Sequence, residues 1–124
     1  MTPLKVLYVD DDTDICEVAT LALELDPGIE VRSESCGSSG LATAALWGPD
    51  AILLDVMMPL MDGPTTLVHL QSDVATCNIP VVFITVRAQS REIDEFVKLG
   101  ARDVITKPFD PMTLAGELRR KIVA

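Results

Sequence analysis

Positive charge is scarce in this sequence. Its 124 residues include 10 lysines and arginines against 19 aspartates and glutamates, so the formal net charge is −9 at pH 7. Proteins that bind nucleic acids need clustered positive charge to meet the phosphate backbone. The composition therefore argues against direct contact with nucleic acid, whereas an acidic chain of this kind is suited to binding a divalent cation.

Cysteine and histidine are also infrequent. The three cysteines, Cys16, Cys36 and Cys77, are odd in number, and no two have the close spacing of a zinc site or a redox pair. Reduced thiols in a cytosolic compartment are the simplest interpretation. The single histidine, His69, has a helical position and no obvious partner, so we interpret it as a surface residue rather than a catalytic base.

Long hydrophobic runs are missing too. The first residues, MTPLKVLYVDDD, contain no basic stretch followed by a long apolar region, and therefore do not resemble a signal peptide. No apolar run approaches membrane-spanning length. These absences predict a cytoplasmic protein, or a cytoplasmic piece of one, with no membrane partner. The composition, 48% hydrophobic and 23% charged, is that of an ordinary folded domain, and the length suits one core.

Five short apolar runs predict five β-strands. They lie at residues 4–9, 29–34, 51–55, 80–85 and 103–106. Four of them are dense in valine, isoleucine or leucine without clean alternation, as strands buried on both faces are. The run at 29–34, IEVRSE, alternates apolar and polar residues, which is typical of an edge strand.

The segment after the first strand has helical spacing. Its apolar residues recur at i, i+3, i+4 and i+7, as on one face of a helix, and they are Ile15, Val18, Ala19, Ala22 and Leu25. Asp12 or Thr13 is a plausible N-cap for this helix. Residues 40–47 and 64–72 fill the next two helical positions with a weaker pattern.

Two further helices are predicted nearer the C-terminus. An apolar stripe between residues 93 and 97 stops before Gly100, a natural residue for the position after a helix. The last helix is predicted to begin with Asp110 as its N-cap and Pro111 as its first residue. It ends in three basic residues, which suit the negative end of a helix.

Strand and helix therefore alternate five times, with no linker, repeat or low-complexity tract. Alternation of this kind predicts a parallel sheet covered by helices on both faces, and right-handed crossovers leave few strand orders. We predict one α/β domain over residues 1–124, a flavodoxin-like, doubly wound sheet in the order 2-1-3-4-5. Ligands bind such sheets outside the carboxyl ends of the strands, where the order switches between strands 1 and 3.

Chemically active side chains stand at those carboxyl ends. They are Asp10, Asp11 and Asp12 after the first strand, Asp55 at the end of the third, Thr85 at the end of the fourth and Lys107 just beyond the fifth. Crowded carboxylates repel one another, and a divalent cation relieves the repulsion. A metal, a nucleophilic carboxylate, a lysine and a hydroxyl are together the groups that phosphoryl transfer to an aspartate requires.

Four motifs in register resemble the bacterial response-regulator receiver domain. They are VDDD (9–12), LLDVMMPLMDG (53–63), PVVFIT (80–85) and DVITKPF (103–109), and they extend over essentially the full chain. The resemblance implies phosphorelay signal transduction in a two-component system. A receiver domain takes a phosphoryl group from a phosphohistidine on a sensor histidine kinase or a histidine phosphotransfer protein. It is not an enzyme for a separate substrate, since it catalyses only its own phosphorylation and dephosphorylation.

The same resemblance implies the phosphorylation and metal sites. Asp55 corresponds to the phosphoacceptor, and Asp10 and Asp11 to the acidic pair that holds Mg²⁺, for which Mn²⁺ is an alternative. Asp55 and the backbone carbonyl of Met57 are expected to complete the metal ligands from the protein.

The remaining site residues are implied by the later motifs. Thr85 is expected to hydrogen-bond the phosphoryl group and Lys107 to form an ion pair with it. The Lys107–Pro108 peptide is expected to be cis, an arrangement that X-Pro bonds tolerate.

Two positions depart from the family pattern. Val86 stands where an alanine or glycine is usual, so access to the site is expected to be narrower. Val104 stands where a tyrosine or phenylalanine is usual, so output must rely on shifts of backbone and loops. We expect output through the fourth helix, fifth strand and fifth helix, which would bind a downstream protein or a second copy of the domain. Basic residues placed on or near that face are Arg91, Lys98, Arg102, Arg119 and Arg120.

Three other functions are compatible with a sheet of this kind. A flavodoxin needs a loop rich in serine, threonine or glycine after the first strand, where this chain has three aspartates that would repel phosphate. An aspartate phosphatase needs an Asp-x-Asp-x-Thr arrangement, which is absent. A degenerate receiver that binds partners without phosphorylation stays open, although the complete set of site residues argues against it. We expect no output domain in this chain, which would be a single-domain regulator or the receiver of a longer protein.

Overall fold

Strands and helices alternate five times through residues 2–123, the part of the chain that the computed structural model describes. The strands are β1 (Leu4–Val9), β2 (Ile29–Glu34), β3 (Ala51–Asp55), β4 (Val81–Thr85) and β5 (Asp103–Thr106). The helices are α1 (Thr13–Glu24), α2 (Gly37–Trp47), α3 (Gly63–Gln71), α4 (Ser90–Leu99) and α5 (Leu114–Ile122). Within these residues, no helix has the length and apolar character needed to cross a membrane.

All five strands belong to one parallel sheet. Their order is β2-β1-β3-β4-β5, which confirms the predicted topology. Every residue of β3 and β4 is buried, in agreement with their apolar runs, whereas Ile29 is the one buried residue of the edge strand β2. β4 begins one residue later than predicted, because Pro80 has no N–H to donate to the ladder.

Helices cover both faces of the sheet. On one face, α1 and α5 pack over a cluster that includes Tyr8 of β1 and Leu118 of α5. On the other face, α2, α3 and α4 pack over a second cluster, in which Phe83 of β4 meets Phe96 of α4 edge to face. The centroids of these two rings are 5.0 Å apart, within the favourable range for aromatic pairs.

The fourth helix has the shallowest packing. None of its residues 90–99, all of which the structure describes, is fully buried. Phe96 and Ile93 are its half-buried contacts with the second cluster, and the amide of Gln71 in α3 donates a 2.9 Å hydrogen bond to the carbonyl of Leu99. α4 ends at Gly100, whose φ of 119° explains the glycine predicted there.

The apolar stripe that predicted α1 is only partly buried. The helix buries a face that includes Ala19 and Leu23, whereas Val18 and Leu25 of the predicted stripe are 43% and 60% exposed. The apolar pattern is wider than the contact that α1 makes with the sheet, and Leu25 lies at the C-cap. The N-cap is Asp12, whose carboxylate accepts the N–H groups of Asp14 and Ile15.

The start of the last helix was also predicted wrongly. The N-cap of α5 is Thr113, three residues after the predicted Asp110. The Asp110 carboxylate accepts the N–H of Met112 at 2.9 Å, and its carbonyl accepts the N–H of Thr113 at 3.1 Å. This side-chain turn is an alternative to N-capping that aspartate commonly adopts. The second and third helices, which were predicted from weaker patterns, also differ from the prediction. They start at Gly37 and Gly63 instead of residues 40 and 64.

Candidate functional site

The predicted site residues converge at the carboxyl edge of the sheet. Asp10 follows β1, Asp55 and Thr85 end β3 and β4, and Lys107 follows β5. They line a cavity of about 230 Å³, whose complete lining is Asp10, Asp11, Asp12, Asp55, Met57, Thr85, Val86 and Lys107. Larger clefts lie elsewhere on the surface. This cavity is the candidate functional site because charged groups converge in it, and not because of its size.

Three carboxylates meet within this cavity. Asp10, Asp11 and Asp55 each offer an oxygen, and these oxygens lie within 4.8 Å of one another. Asp10 and Asp55 are buried, whereas Asp11 is exposed. A cluster of carboxylate oxygens in a cleft that opens to solvent at Asp11 suits a hard divalent cation such as Mg²⁺, which keeps several of its waters. The donor set of this cleft therefore fits the metal that the sequence implies.

Lys107 bridges two of these carboxylates. Its Nζ donates to Asp10 Oδ2 at 2.7 Å and to Asp55 Oδ1 at 3.2 Å. Burial alone lowers the pKa of Lys107, but the hydrogen bond to Asp10 and the charge of Asp55 outweigh it, so the pKa is raised. Lys107 is therefore a charged ammonium at neutral pH. The Lys107–Pro108 peptide is cis, as the resemblance implied.

Asp55 has the electrostatic environment of a reactive carboxylate. Burial and the neighbouring charge of Asp10 raise the pKa of Asp55 from 3.8 to about 6, against the opposing attraction of Lys107. The group is still mainly ionised at pH 7, as a nucleophile must be. A cation bound beside it would favour the ionised form further.

The loop after β3 packs closely against the backbone at the end of that strand. The N–H of Gly63 donates to the carbonyl of Val56 at 2.9 Å, and a Cβ at position 63 would lie 2.5 Å from the carbonyl oxygen of Asp55. Only glycine allows this approach. In the same loop Leu60 has a φ of 67°, with a hydrogen bond from the N–H of Met61 to the carbonyl of Pro59. The sequence interpretation did not include this contact between Gly63 and Asp55.

Thr85 and its neighbours form the other wall. The Thr85 side chain is buried and its Oγ1 accepts the N–H of Arg87 at 3.3 Å. Val86 and Met57 line the cavity while remaining 70% and 74% exposed. Apolar side chains thus stand at the entrance of an otherwise charged cleft.

Tyr8 is a site contact that the sequence interpretation missed. Its hydroxyl donates a 2.9 Å hydrogen bond to Asp10 Oδ2, although its ring lies in the buried cluster beneath α1 and α5. Burial and the charge of Asp10 raise the pKa of Tyr8, so the hydroxyl stays protonated and donates. The sequence did contain an indication of this contact, because residues two apart in a strand point to the same side of the sheet, and Tyr8 is two residues before Asp10.

Some predicted positions lie outside the cavity. His69 is exposed on α3, and the three cysteines are free thiols, of which Cys16 is buried. Arg119 was placed wrongly on or near the output face. Its guanidinium Nε pairs with Asp26 at 2.7 Å, in the loop between α1 and β2, because α5 turns this residue toward α1.

Known proteins share both the sequence and the structure described above. The family model of the response regulator receiver domain matches residues 6–119. The DNA-binding dual master transcriptional regulator RpaA of Synechocystis is 35% identical over 115 residues, which are 93% of this chain and 47% of that protein. The phosphate regulon transcriptional regulatory protein PhoB of Escherichia coli is 34% identical over 115 residues, with coverages of 93% and 50%. The chain spans about half the length of these curated relatives.

Solved structures give the same assignment. The chemotaxis response regulator CheY4 of Vibrio cholerae superposes with a TM-score of 0.88 at 32% identity, covering 97% of this chain and 99% of that one. The match of the family model, the strand order and the shared sequence agree with one another. The chain belongs to the response regulator receiver domain family of two-component signalling.

Proposed function

We propose that this domain accepts a phosphoryl group onto Asp55 from a phosphohistidine, on a sensor histidine kinase or a histidine phosphotransfer protein. The observation that carries the proposal is the meeting of Asp10, Asp11, Asp55 and Lys107 in one cleft at the carboxyl edge of the sheet. Anionic oxygens and one ammonium in a cleft of this size suit the positioning and charge neutralisation on which phosphoryl transfer depends.

Asp55 acts as the nucleophile in the proposed reaction. One of its carboxylate oxygens forms a bond to phosphorus while the phosphorus–nitrogen bond of the phosphohistidine breaks, and the imidazole nitrogen keeps the electron pair of that bond. The product is an aspartyl phosphate on Asp55. Rigid β3, buried along its whole length, fixes the direction of this carboxylate.

Asp10, Asp11, Asp55 and the carbonyl of Met57 would hold Mg²⁺, with Mn²⁺ as an alternative. When bound, the cation would neutralise negative charge on the transferring oxygens. Lys107 would pair with a phosphoryl oxygen from the other side of the site, and the Thr85 hydroxyl would donate a hydrogen bond to it. Thr85 ends β4, the strand beside β3, and Lys107 follows β5, which pairs with β4.

The output surface is proposed to be the α4–β5–α5 face, residues 90–99, 103–106 and 114–122. Val104 is buried there, and the Lys121 ammonium donates to its carbonyl at 2.8 Å. With no aromatic side chain at position 104, a signal would pass through backbone and loop shifts. A downstream protein or a second copy of the domain would bind this face, in the cytoplasm.

The experiment that tests the phosphoacceptor function is an intact-mass measurement. The protein is incubated with acetyl phosphate and Mg²⁺, and a parallel sample receives a chelator. We expect one added phosphoryl group with Mg²⁺ and none with the chelator. Hydroxylamine should then remove the group, because it cleaves acyl phosphates and leaves phosphoserine and phosphothreonine intact.

A different result would contradict the proposal. If neither acetyl phosphate nor phosphoramidate, a small analogue of phosphohistidine, modified a protein that binds Mg²⁺, phosphorylation would not be its mode of action. The chain would then be a receiver that binds partners without phosphorylation.

A further inference from the structure

The carboxylate of Asp10 is buried and accepts three hydrogen bonds. Its side chain has no exposed surface. Oδ1 accepts the backbone N–H of Asp12 at 3.0 Å. Oδ2 accepts two donors, the hydroxyl of Tyr8 at 2.9 Å and the ammonium of Lys107 at 2.7 Å. A buried carboxylate is stable only when its oxygens are satisfied in this way.

The two donors to Oδ2 differ in their freedom to move. Lys107 has a long, flexible side chain that remains 14% exposed and already divides its hydrogen bonds between Asp10 and Asp55. The Tyr8 ring is fully buried among Ala19, Leu23 and their neighbours. Lys107 can therefore leave Asp10 by rotating its side chain, whereas Tyr8 stays in place.

We propose that Tyr8 is a positioning residue for phosphorylation, whose hydroxyl keeps Asp10 Oδ2 hydrogen-bonded when Lys107 moves to the phosphoryl group. This inference rests on the proposed phosphoacceptor function. Among the residues that the structure describes, Tyr8 and Lys107 are the donors to this oxygen. Without the hydroxyl, departure of Lys107 would leave Oδ2 with no hydrogen-bond donor among the described residues, so Lys107 would be held at Asp10.

The hydroxyl therefore stabilises the phosphorylated state more than the resting state. Tyr8→Phe removes one oxygen and keeps the ring that fills the core. In unphosphorylated Tyr8→Phe, Oδ2 still has Lys107 as a donor. The free-energy cost of the missing hydroxyl therefore falls on the phosphorylated state, in which Lys107 has left Asp10. A hydrogen bond to a charged group is strong enough to change this equilibrium about tenfold or more.

The test uses wild type, Tyr8→Phe and Cys16→Ala. The thiol of Cys16 donates to the backbone carbonyl of Asp10 at 3.0 Å, so its removal deletes a bond to the same residue but not to the carboxylate. For each protein, the rate of phosphorylation by acetyl phosphate and the Mg²⁺-dependent affinity for beryllofluoride, a phosphoryl analogue, are measured. We expect both to fall about tenfold in Tyr8→Phe and to stay near wild type in Cys16→Ala.

A spectroscopic readout separates positioning from a structural role. Tyr8 is the only tyrosine in the chain, so ¹³Cζ-labelled tyrosine gives one signal. The shift of that carbon reports the strength of the hydrogen bond that the hydroxyl donates. In wild type with Mg²⁺ already bound, we expect it to move toward stronger donation when beryllofluoride is added, because Oδ2 loses its competing donor. This readout needs no variant, and it decides the matter should Tyr8→Phe fail to fold.

The outcomes distinguish this inference from the proposed function. If wild type takes no phosphoryl group and binds no beryllofluoride, the phosphoacceptor function itself fails. If wild type does both and Tyr8→Phe matches it, or if the tyrosine signal does not move, only the role of Tyr8 is overturned. A variant that is less stable but binds beryllofluoride as tightly as wild type would equally reduce Tyr8 to a core residue.

Discussion

Asp55→Asn is expected to take up no phosphoryl group and, without Mg²⁺ at neutral pH, to be more stable than wild type. Asparagine has no anionic oxygen to attack phosphorus, so the loss of the adduct is complete. Burial and the charge of Asp10 raise the pKa of Asp55 from 3.8 to about 6. Since each pKa unit corresponds to about 1.4 kcal/mol, the difference between 3.8 and about 6 predicts a gain of about 3 kcal/mol in the free energy of unfolding.

The sign of the pH dependence follows from the raised pKa. The folded protein binds a proton at Asp55 more tightly than the unfolded chain does, so protonation favours the fold. The contribution of this group is therefore most favourable below about pH 4 and is lost as the pH rises through about 6. Urea unfolding at a series of pH values should show this decline in wild type and its absence in Asp55→Asn.

Asp62→Asn is a matched control for that series. It changes the same charge at an exposed N-cap, where the Asp62 carboxylate accepts the N–H of Thr65 at 2.9 Å. Asparagine caps helices as well as aspartate does, so this variant should keep both the adduct and the decline with pH. An Asp55→Asn protein that kept the wild-type decline would show that the raised pKa belongs to another group of the cluster.

Asp11→Asn is expected to weaken Mg²⁺ binding on the order of 100-fold, by removing one of three converging carboxylates. Asp11 is exposed, so the metal-free fold should be almost unchanged. Titration calorimetry measures the affinity directly. Thermal unfolding gives a second measure, since a ligand at 100 times its Kd stabilises the fold by about 2.7 kcal/mol. A Mg²⁺ concentration that stabilises wild type by this amount should barely stabilise Asp11→Asn.

Asp12→Asn controls for the loss of negative charge beside the metal site. Asp12 is the next residue and lines the same cavity, but its carboxylate is occupied in capping α1. The Kd of Asp12→Asn for Mg²⁺ should lie within a few-fold of the wild-type Kd. If Asp11→Asn and Asp12→Asn lost Mg²⁺ affinity equally, the cation would be attracted by the general negative potential of the site and would not be held by Asp11.

The strands and their order were predictable because their signals are local and strong. Apolar runs bounded by polar residues fixed the strand limits almost to the residue, and alternation with helices left few topologies. The site followed from the same topology. Asp10 and Lys107 are far apart in sequence, but they follow β1 and β5 at the same edge of the sheet, and their side chains meet at 2.7 Å.

Features that depend on how one element faces another were not predictable. The pattern of α1 is apolar over more than one face, so the buried face that includes Ala19 was decided by contact with the sheet. Asp110 could either cap a helix or accept a hydrogen bond in a side-chain turn, and the sequence does not distinguish these two local structures. Arg119 pairs with Asp26 only because α5 lies against α1.

The shallow packing of α4 gives the domain an uneven resistance to opening. Local unfolding free energies follow the amount of apolar contact that each segment makes. β3, which carries Asp55, is buried throughout, whereas α4 is held by a few half-buried side chains and the hydrogen bond from Gln71. The proposed phosphorylation would thus take place on a strand that resists opening, beside a helix that opens more readily. We expect a small change at the sheet edge to redistribute the population of α4 conformations without disturbing the strand that carries Asp55.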